Sequence, residues 1–93
     1  MKDYEGMYVI RPDLNQEDTD KAVQAIEGII SENKGELKDS SAWGKRALAY
    51  EMKGCTEGYY RLIHFRIDPR VVAKLEKAYK LNENILKYLI IRT

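Results

Sequence analysis

The stretch Trp43-Gly44-Lys45-Arg46-Ala47-Leu48-Ala49-Tyr50 reads as one extended segment carrying a tryptophan, two adjacent cations, a short apolar run and a tyrosine. A helical stripe ends just before it and an alternating strand begins just after it. That placement makes the chain α+β: the segment is one arm of a hairpin that follows a helix. Guanidinium and aromatic groups side by side suit an RNA or protein surface. The planar fork grips phosphate, and the ring stacks on a base or fills a partner's pocket.

Upstream, Tyr4 to Arg11 alternates as a strand, with Tyr4, Gly6, Tyr8 and Ile10 on one face and Glu5, Met7, Val9 and Arg11 on the other. Both sets are largely apolar, which suits a central strand, and Pro12-Asp13 ends it. Asn15 is placed to cap a helix over Gln16 to Asn33, with Glu17, Asp18 and Asp20 near the positive end of its dipole. Ala22, Val23, Ile26, Ile29, Ile30 and Asn33 form its buried stripe, and Gly35 is the expected C-cap glycine. Glu36 to Met52 is extended but interrupted at Asp39-Ser40-Ser41, so a bulge is expected at the serines or at Gly44.

Downstream, Lys53 to Gly58 reads as the turn of a long hairpin, and Tyr59 to Ile67 as its return strand. Tyr59, Arg61, Ile63, Phe65 and Ile67 share one face of that strand; Tyr60, Leu62, His64 and Arg66 share the other. Asp68-Pro69 starts a second helix, with an Asp cap and a proline whose missing N–H costs nothing at the first position. Its stripe is Val71, Val72, Leu75, Ala78 and Tyr79. Leu81 to Asn84 ends it, and Ile85 to Arg92 is a last strand. The order βαββαβ predicts a ferredoxin-like split βαβ sandwich: a four-stranded antiparallel sheet with two helices on one face. The first and third strands are central, and the sheet's other face is open. In that topology Lys2, Lys34, Arg66, Arg70 and Arg92 gather at one end of the sheet, and Arg11, Lys53 and Lys80 at the other.

The chain has 93 residues, which predicts a single domain over 1–93. With 44% hydrophobic and 33% charged residues the composition is that of a globular protein and not a disordered tail. No apolar run approaches the roughly 18 residues of a membrane span, and the N-terminus lacks a signal-peptide core. One cysteine, Cys55, permits no internal disulfide and fits the cytoplasm. With His64 it leaves too few soft ligands for zinc, so no cofactor or metal is expected. The net charge is only +1 but is unevenly spread. Seven acids against two bases lie between Asp13 and Glu36, and six bases against two acids between Pro69 and Thr93. Either these are ordinary solvated helix faces, or one half turns towards phosphate.

The chain resembles the bacterial small-subunit ribosomal protein S6 family over essentially its whole length. The likeness rests on Tyr4-Glu5, on Arg11-Pro12-Asp13, on Trp43-Gly44-Lys45-Arg46 with Leu48-Ala49-Tyr50, on Leu75-Glu76, and on Asn84 before a strand ending Ile91-Arg92-Thr93. It departs where that family usually has Pro-Ile after the tyrosine, since Glu51 and Met52 stand here, and where Ala47 replaces a frequent polar residue. Some members of that family carry a long acidic tail beyond the position of Thr93. The resemblance implies a non-catalytic constituent of the small ribosomal subunit. It would bind the central domain of 16S rRNA together with ribosomal protein S18, with no membrane and no small-molecule substrate. A weakly charged domain makes few phosphate contacts alone, so a basic partner is physically sensible.

On that reading Trp43, Lys45, Arg46 and Leu48 form the partner-facing edge. Successive strand residues point to opposite faces, so Lys45 and Arg46 reach one surface only if the strand twists or bulges. The plainer role for both is to block stray strand pairing. Lys2, Tyr4, Arg92, Lys87 and Arg70 are the RNA-facing candidates, with Lys2, Tyr4 and Arg92 clustered because the first and last strands are antiparallel neighbours. Tyr50 reads as mainly structural. The alternative function is an RNA recognition motif-like single-strand binder, since Glu57 to Phe65 faintly resembles its third-strand signature. That signature wants a cation before the glycine and aromatics two apart on the open face, and Glu57, Leu62 and His64 depart from it. An acylphosphatase-like enzyme would need a phosphate-cradling loop where Arg11-Pro12-Asp13 stands, and the proline removes a donor there while the acid repels the anion.

Overall fold

The computed structural model describes residues 1–93. Its elements are β1 (Lys2–Ile10), α1 (Gln16–Glu32), β2 (Glu36–Met52), β3 (Cys55–Ile67), a 3₁₀ turn (Pro69–Val71), α2 (Val72–Leu81) and β4 (Ile85–Arg92). The sheet order is β2-β3-β1-β4, every pair antiparallel. The predicted architecture is the observed one: Tyr4, Tyr8 and Ile10 of β1 and Ile63, Phe65 and Ile67 of β3 pack with Ala22, Ile26 and Ile30 of α1 and Leu75 and Tyr79 of α2 in one core. Nine core side chains are under 2% exposed, Tyr8, Tyr79 and Phe65 being the largest.

The helix signals act as read at the start of α1 and differently at its end. Asn15 Oδ1 accepts from Asp18 N at 2.8 Å. At the C-terminus the left-handed residue is Lys34 (φ 65°) and not Gly35. Gly35 N donates to Ile30 O at 2.8 Å and Lys34 N to Ser31 O at 3.0 Å, a Schellman arrangement one residue earlier than expected. The glycine is needed for space instead, because a Cβ there would sit 2.6 Å from Ile30 Cγ2. The second helix begins as the 3₁₀ turn, with Asp68 Oδ1 accepting from Arg70 N at 2.9 Å, and continues through Leu81.

The hairpin is tighter than its glycines suggested. Met52 pairs with Cys55, so Lys53 and Gly54 alone make the turn. Their φ values of 48° and 79° are those of a type I′ turn, whose twist matches the strands it joins. Strand β2 runs unbroken through the serines, which pair regularly with Ile63 and Leu62. The register shifts fall instead at Lys38, at Trp43 and beyond Ala47. Gly44, at φ 80°, supplies the left-handed backbone at the middle one. Beyond that bulge, β2 carries Leu48 and Met52 onto Val9, Cys55 and Leu86, a second small cluster on the sheet face away from the helices.

Candidate functional site

The bulge sets the chemistry of the β2 edge. Ala42 pairs with Arg61 and Gly44 with Tyr60, which leaves Trp43 without a cross-strand partner. Trp43 is 45% exposed, large for an indole. The Arg46 guanidinium lies 5.4 Å from the Trp43 ring centroid, and its Nε donates to Trp43 O at 3.2 Å. Ring and cation are thus held together at an exposed margin. Lys45 goes the other way: its Nζ lies 5.8 Å from the Tyr59 ring and 3.5 Å from Glu57 Oε2. The bulge therefore does not bring Lys45 and Arg46 to one surface. Leu48 is half-buried against Val9, Cys55 and Leu86, so its methyls are largely committed to the chain's own packing.

At the terminal end the residues expected together separate by role. Arg92 is paired with Tyr4 across β1 and β4, and both Lys2 and Arg92 are exposed. Tyr4 is 7% exposed, stacked on Phe65 at 5.8 Å, and belongs to the core. A ring so placed offers no open face to a base. Arg70 is exposed, but its guanidinium takes both oxygens of Asp68, Nη2 to Oδ2 at 2.7 Å and Nε to Oδ1 at 3.2 Å. That pairing holds the Asp68 carboxyl down at about 2 and offsets the charge Arg70 would bring to phosphate. The exposed ion pair of Lys38 with Asp3 at 2.9 Å adds another locally balanced cation to this end.

Lys87 lies at the opposite end, its Nζ 5.9 Å above the ring of Tyr50. Tyr50 is 61% exposed and was missed as a surface group. The available signal was strand alternation: Leu48, Tyr50 and Met52 share a face that a two-residue turn brings over the start of β4.

On the open sheet face His64 Nδ1 sits 2.7 Å from Asp39 Oδ1 and its Nε2 3.5 Å from Glu5 Oε1. The Asp39 hydrogen bond raises its pKa above the ordinary imidazole value, with the two carboxylate charges adding to the shift. Two carboxylates beside His64 disfavour a phosphate backbone at this part of the face. In the loop after β1, Arg11 Nε binds Asp13 Oδ1 at 3.1 Å, so the only guanidinium near a phosphate-cradle position is already taken. No three His, Cys, Asp or Glu side chains are grouped to hold a metal ion, and no helix is long and apolar enough to cross a membrane.

Fold and surface together define a small α+β domain whose candidate groups sit on an edge strand and at the sheet's ends. The profile of the family described as Ribosomal protein S6 matches residues 3–92. The small ribosomal subunit protein bS6 of Caldanaerobacter subterraneus is 43% identical over 93 residues, covering 100% of this chain and 98% of that protein. The crystal structure of 30S ribosomal protein S6 from Thermotoga maritima superposes with a TM-score of 0.92 at 32% identity, covering 99% of this chain and 87% of that one. The C-terminal domain of the Mycobacterium tuberculosis MgtC protein, at TM-score 0.65 and 13% identity, shares the fold alone. The chain belongs to the ribosomal protein S6 family, a family of structural proteins of the small ribosomal subunit and not of enzymes.

Proposed function

We propose that this chain, acting as a single domain over residues 1–93, binds the central domain of 16S rRNA jointly with ribosomal protein S18. The observation that carries this reading is the edge-strand bulge, which holds the exposed Trp43 ring against the Arg46 guanidinium. Aromatic and Arg side chains are the groups most often responsible for interface energy, and a pre-positioned pair loses little side-chain entropy on binding. The net charge of +1 supports a shared grip, because a nearly neutral domain releases few counterions from RNA by itself. Lys2 and Arg92 are the proposed phosphate contacts at the terminal end, and Lys45 is a secondary contributor at the edge.

Filter binding to a three-way junction from the central domain of 16S rRNA, with and without S18, tests the reading. S18 should raise the affinity by at least about tenfold, within the usual range of coupling energies. Absence of any gain refutes joint binding. Arg46→Ala should weaken association with S18 by about tenfold or more, while the unfolding free energy moves by less than about 0.5 kcal/mol because the side chain is exposed. A loss of stability with unchanged partner affinity assigns Arg46 to folding instead.

A further inference from the structure

Three lysines from three elements converge on one open cleft of about 480 Å³: Lys53 from the hairpin turn, Lys80 from the end of α2 and Lys87 from β4. Tyr79, Ile85, Leu86 and Tyr88 complete its lining, and no acid is among them. None of the three lysines is in an ion pair. Arg11, Lys21, Lys38, Lys45 and Arg70, by contrast, each have a carboxylate partner. Lys53 is also held in place, its Nζ donating to Ile85 O at 3.1 Å. We infer that this cleft is a phosphodiester-binding site through which the domain holds folded rRNA, an inference that rests on the ribosomal reading above.

Three lysines without carboxylate partners leave the hollow positively charged, and a phosphate backbone seated there releases its counterions. Each ammonium has three rotatable donors, which suits the variable oxygens of a backbone and not a fixed planar target. The aliphatic lining residues Ile85 and Leu86 are 2% and 9% exposed, so neither offers much side-chain surface to the cleft. The sequence placed Lys53 and Lys80 at one end of the sheet and named Lys87 separately as an RNA-facing residue. The structure brings Lys87 to them, because the two-residue turn and the end of α2 meet the start of β4.

The test is filter binding of the full chain with S18 to the rRNA junction across a salt series. The variant Lys53→Ala/Lys80→Ala/Lys87→Ala should lower affinity at 0.1 M salt by about tenfold or more and shrink the slope of log K against log salt by about 2. Replacing the three by arginine should restore both. Association with S18 alone should be unchanged. The inference is overturned if affinity and slope stay within twofold while Lys2→Ala/Arg92→Ala loses binding, an outcome that leaves the ribosomal reading standing. It is equally overturned if the triple variant loses S18 and keeps its RNA contacts, since the cleft then takes an acidic protein segment. Should the triple variant fail to fold, Lys80→Ala/Lys87→Ala decides, with a slope change of about 1–2 expected. If the unaltered pair does not bind the junction, the ribosomal reading falls and the cleft with it.

Discussion

Tyr8→Phe should stabilise this protein. The Tyr8 side chain is fully buried at the centre of the sheet, packed edge-on to Tyr79 with 4.9 Å between ring centroids. Its hydroxyl has no hydrogen-bond partner. The Tyr79 hydroxyl gives its proton to Ile26 O at 3.2 Å, and its oxygen lies close enough to perturb the Tyr8 phenol without meeting hydrogen-bond geometry. Burial pushes the Tyr8 phenol far above its ordinary range, with the neighbouring Tyr79 adding to the shift. An unsatisfied buried hydroxyl costs about 1–3 kcal/mol, which the substitution recovers. The void left behind is the size of one oxygen, roughly 10 Å³, and costs roughly 0.2 kcal/mol. The expected net gain is about 1 kcal/mol, which for a domain of this length raises Tm by about 4–8 °C. Urea unfolding followed by far-ultraviolet circular dichroism measures it, with an unchanged m-value as the check that the unfolding transition is the same. Tyr79→Phe serves as the contrast and should cost about 0.5–1.5 kcal/mol, because it removes a bond that is made. A loss of more than about 0.5 kcal/mol for Tyr8→Phe refutes the reasoning, since it means the hydroxyl is bonded in the folded state.

Lys34→Gly should raise stability by about 0.5–1 kcal/mol, because a side chain at φ 65° strains the backbone that glycine adopts freely; a drop in the urea midpoint contradicts this. His64 should impart a pH dependence of definite sign. Its folded pKa is raised, so the stability it contributes is fully present below the unfolded value of about 6.5 and is lost as pH rises through the folded value. The effect is small, since the imidazole and its two carboxylates are all at least 36% exposed. Comparing the pH profile of unfolding with that of His64→Gln isolates it, and an unchanged profile removes the interaction from the account.

The fold was legible because its signals are local and mutually consistent. Asn15, Asp68 and Pro69 mark helix starts through their own side chains, and the apolar periods of 3.6 and 2 name the buried faces directly. The errors lie where a backbone angle is decided by contacts made elsewhere. Gly35 drew the C-cap because glycine is the usual left-handed residue, yet Lys34 takes that conformation while the glycine makes room for Ile30. The hairpin turn was read as six residues because two glycines flank it; pairing of Cys55 through Gly58 with β2 closes it to two.

Candidate residues divide along the same line. The Trp43–Arg46 pair follows from residue type and a short spacing, and both groups stand at the exposed edge. Residue type does not say whether a strand position meets solvent: Tyr4 packs on Phe65, and Leu48 is half-buried against Val9 and Leu86. Arg70 was credited with a free charge that Asp68, two residues away, already balances.

The order of strands and helices and the layer they build were written in periodicity and capping residues, because each depends on neighbours a few positions apart, and the family showed through its resemblance in short motifs such as Trp43-Gly44-Lys45-Arg46. The joining of Lys87 to Lys53 and Lys80 in one cleft, the solvent face of Tyr50 and the burial of Tyr4 were decided only by the tertiary structure. Those facts depend on which distant segments touch, and long-range contact is set by sheet register and twist, not by any property of the residues taken one stretch at a time.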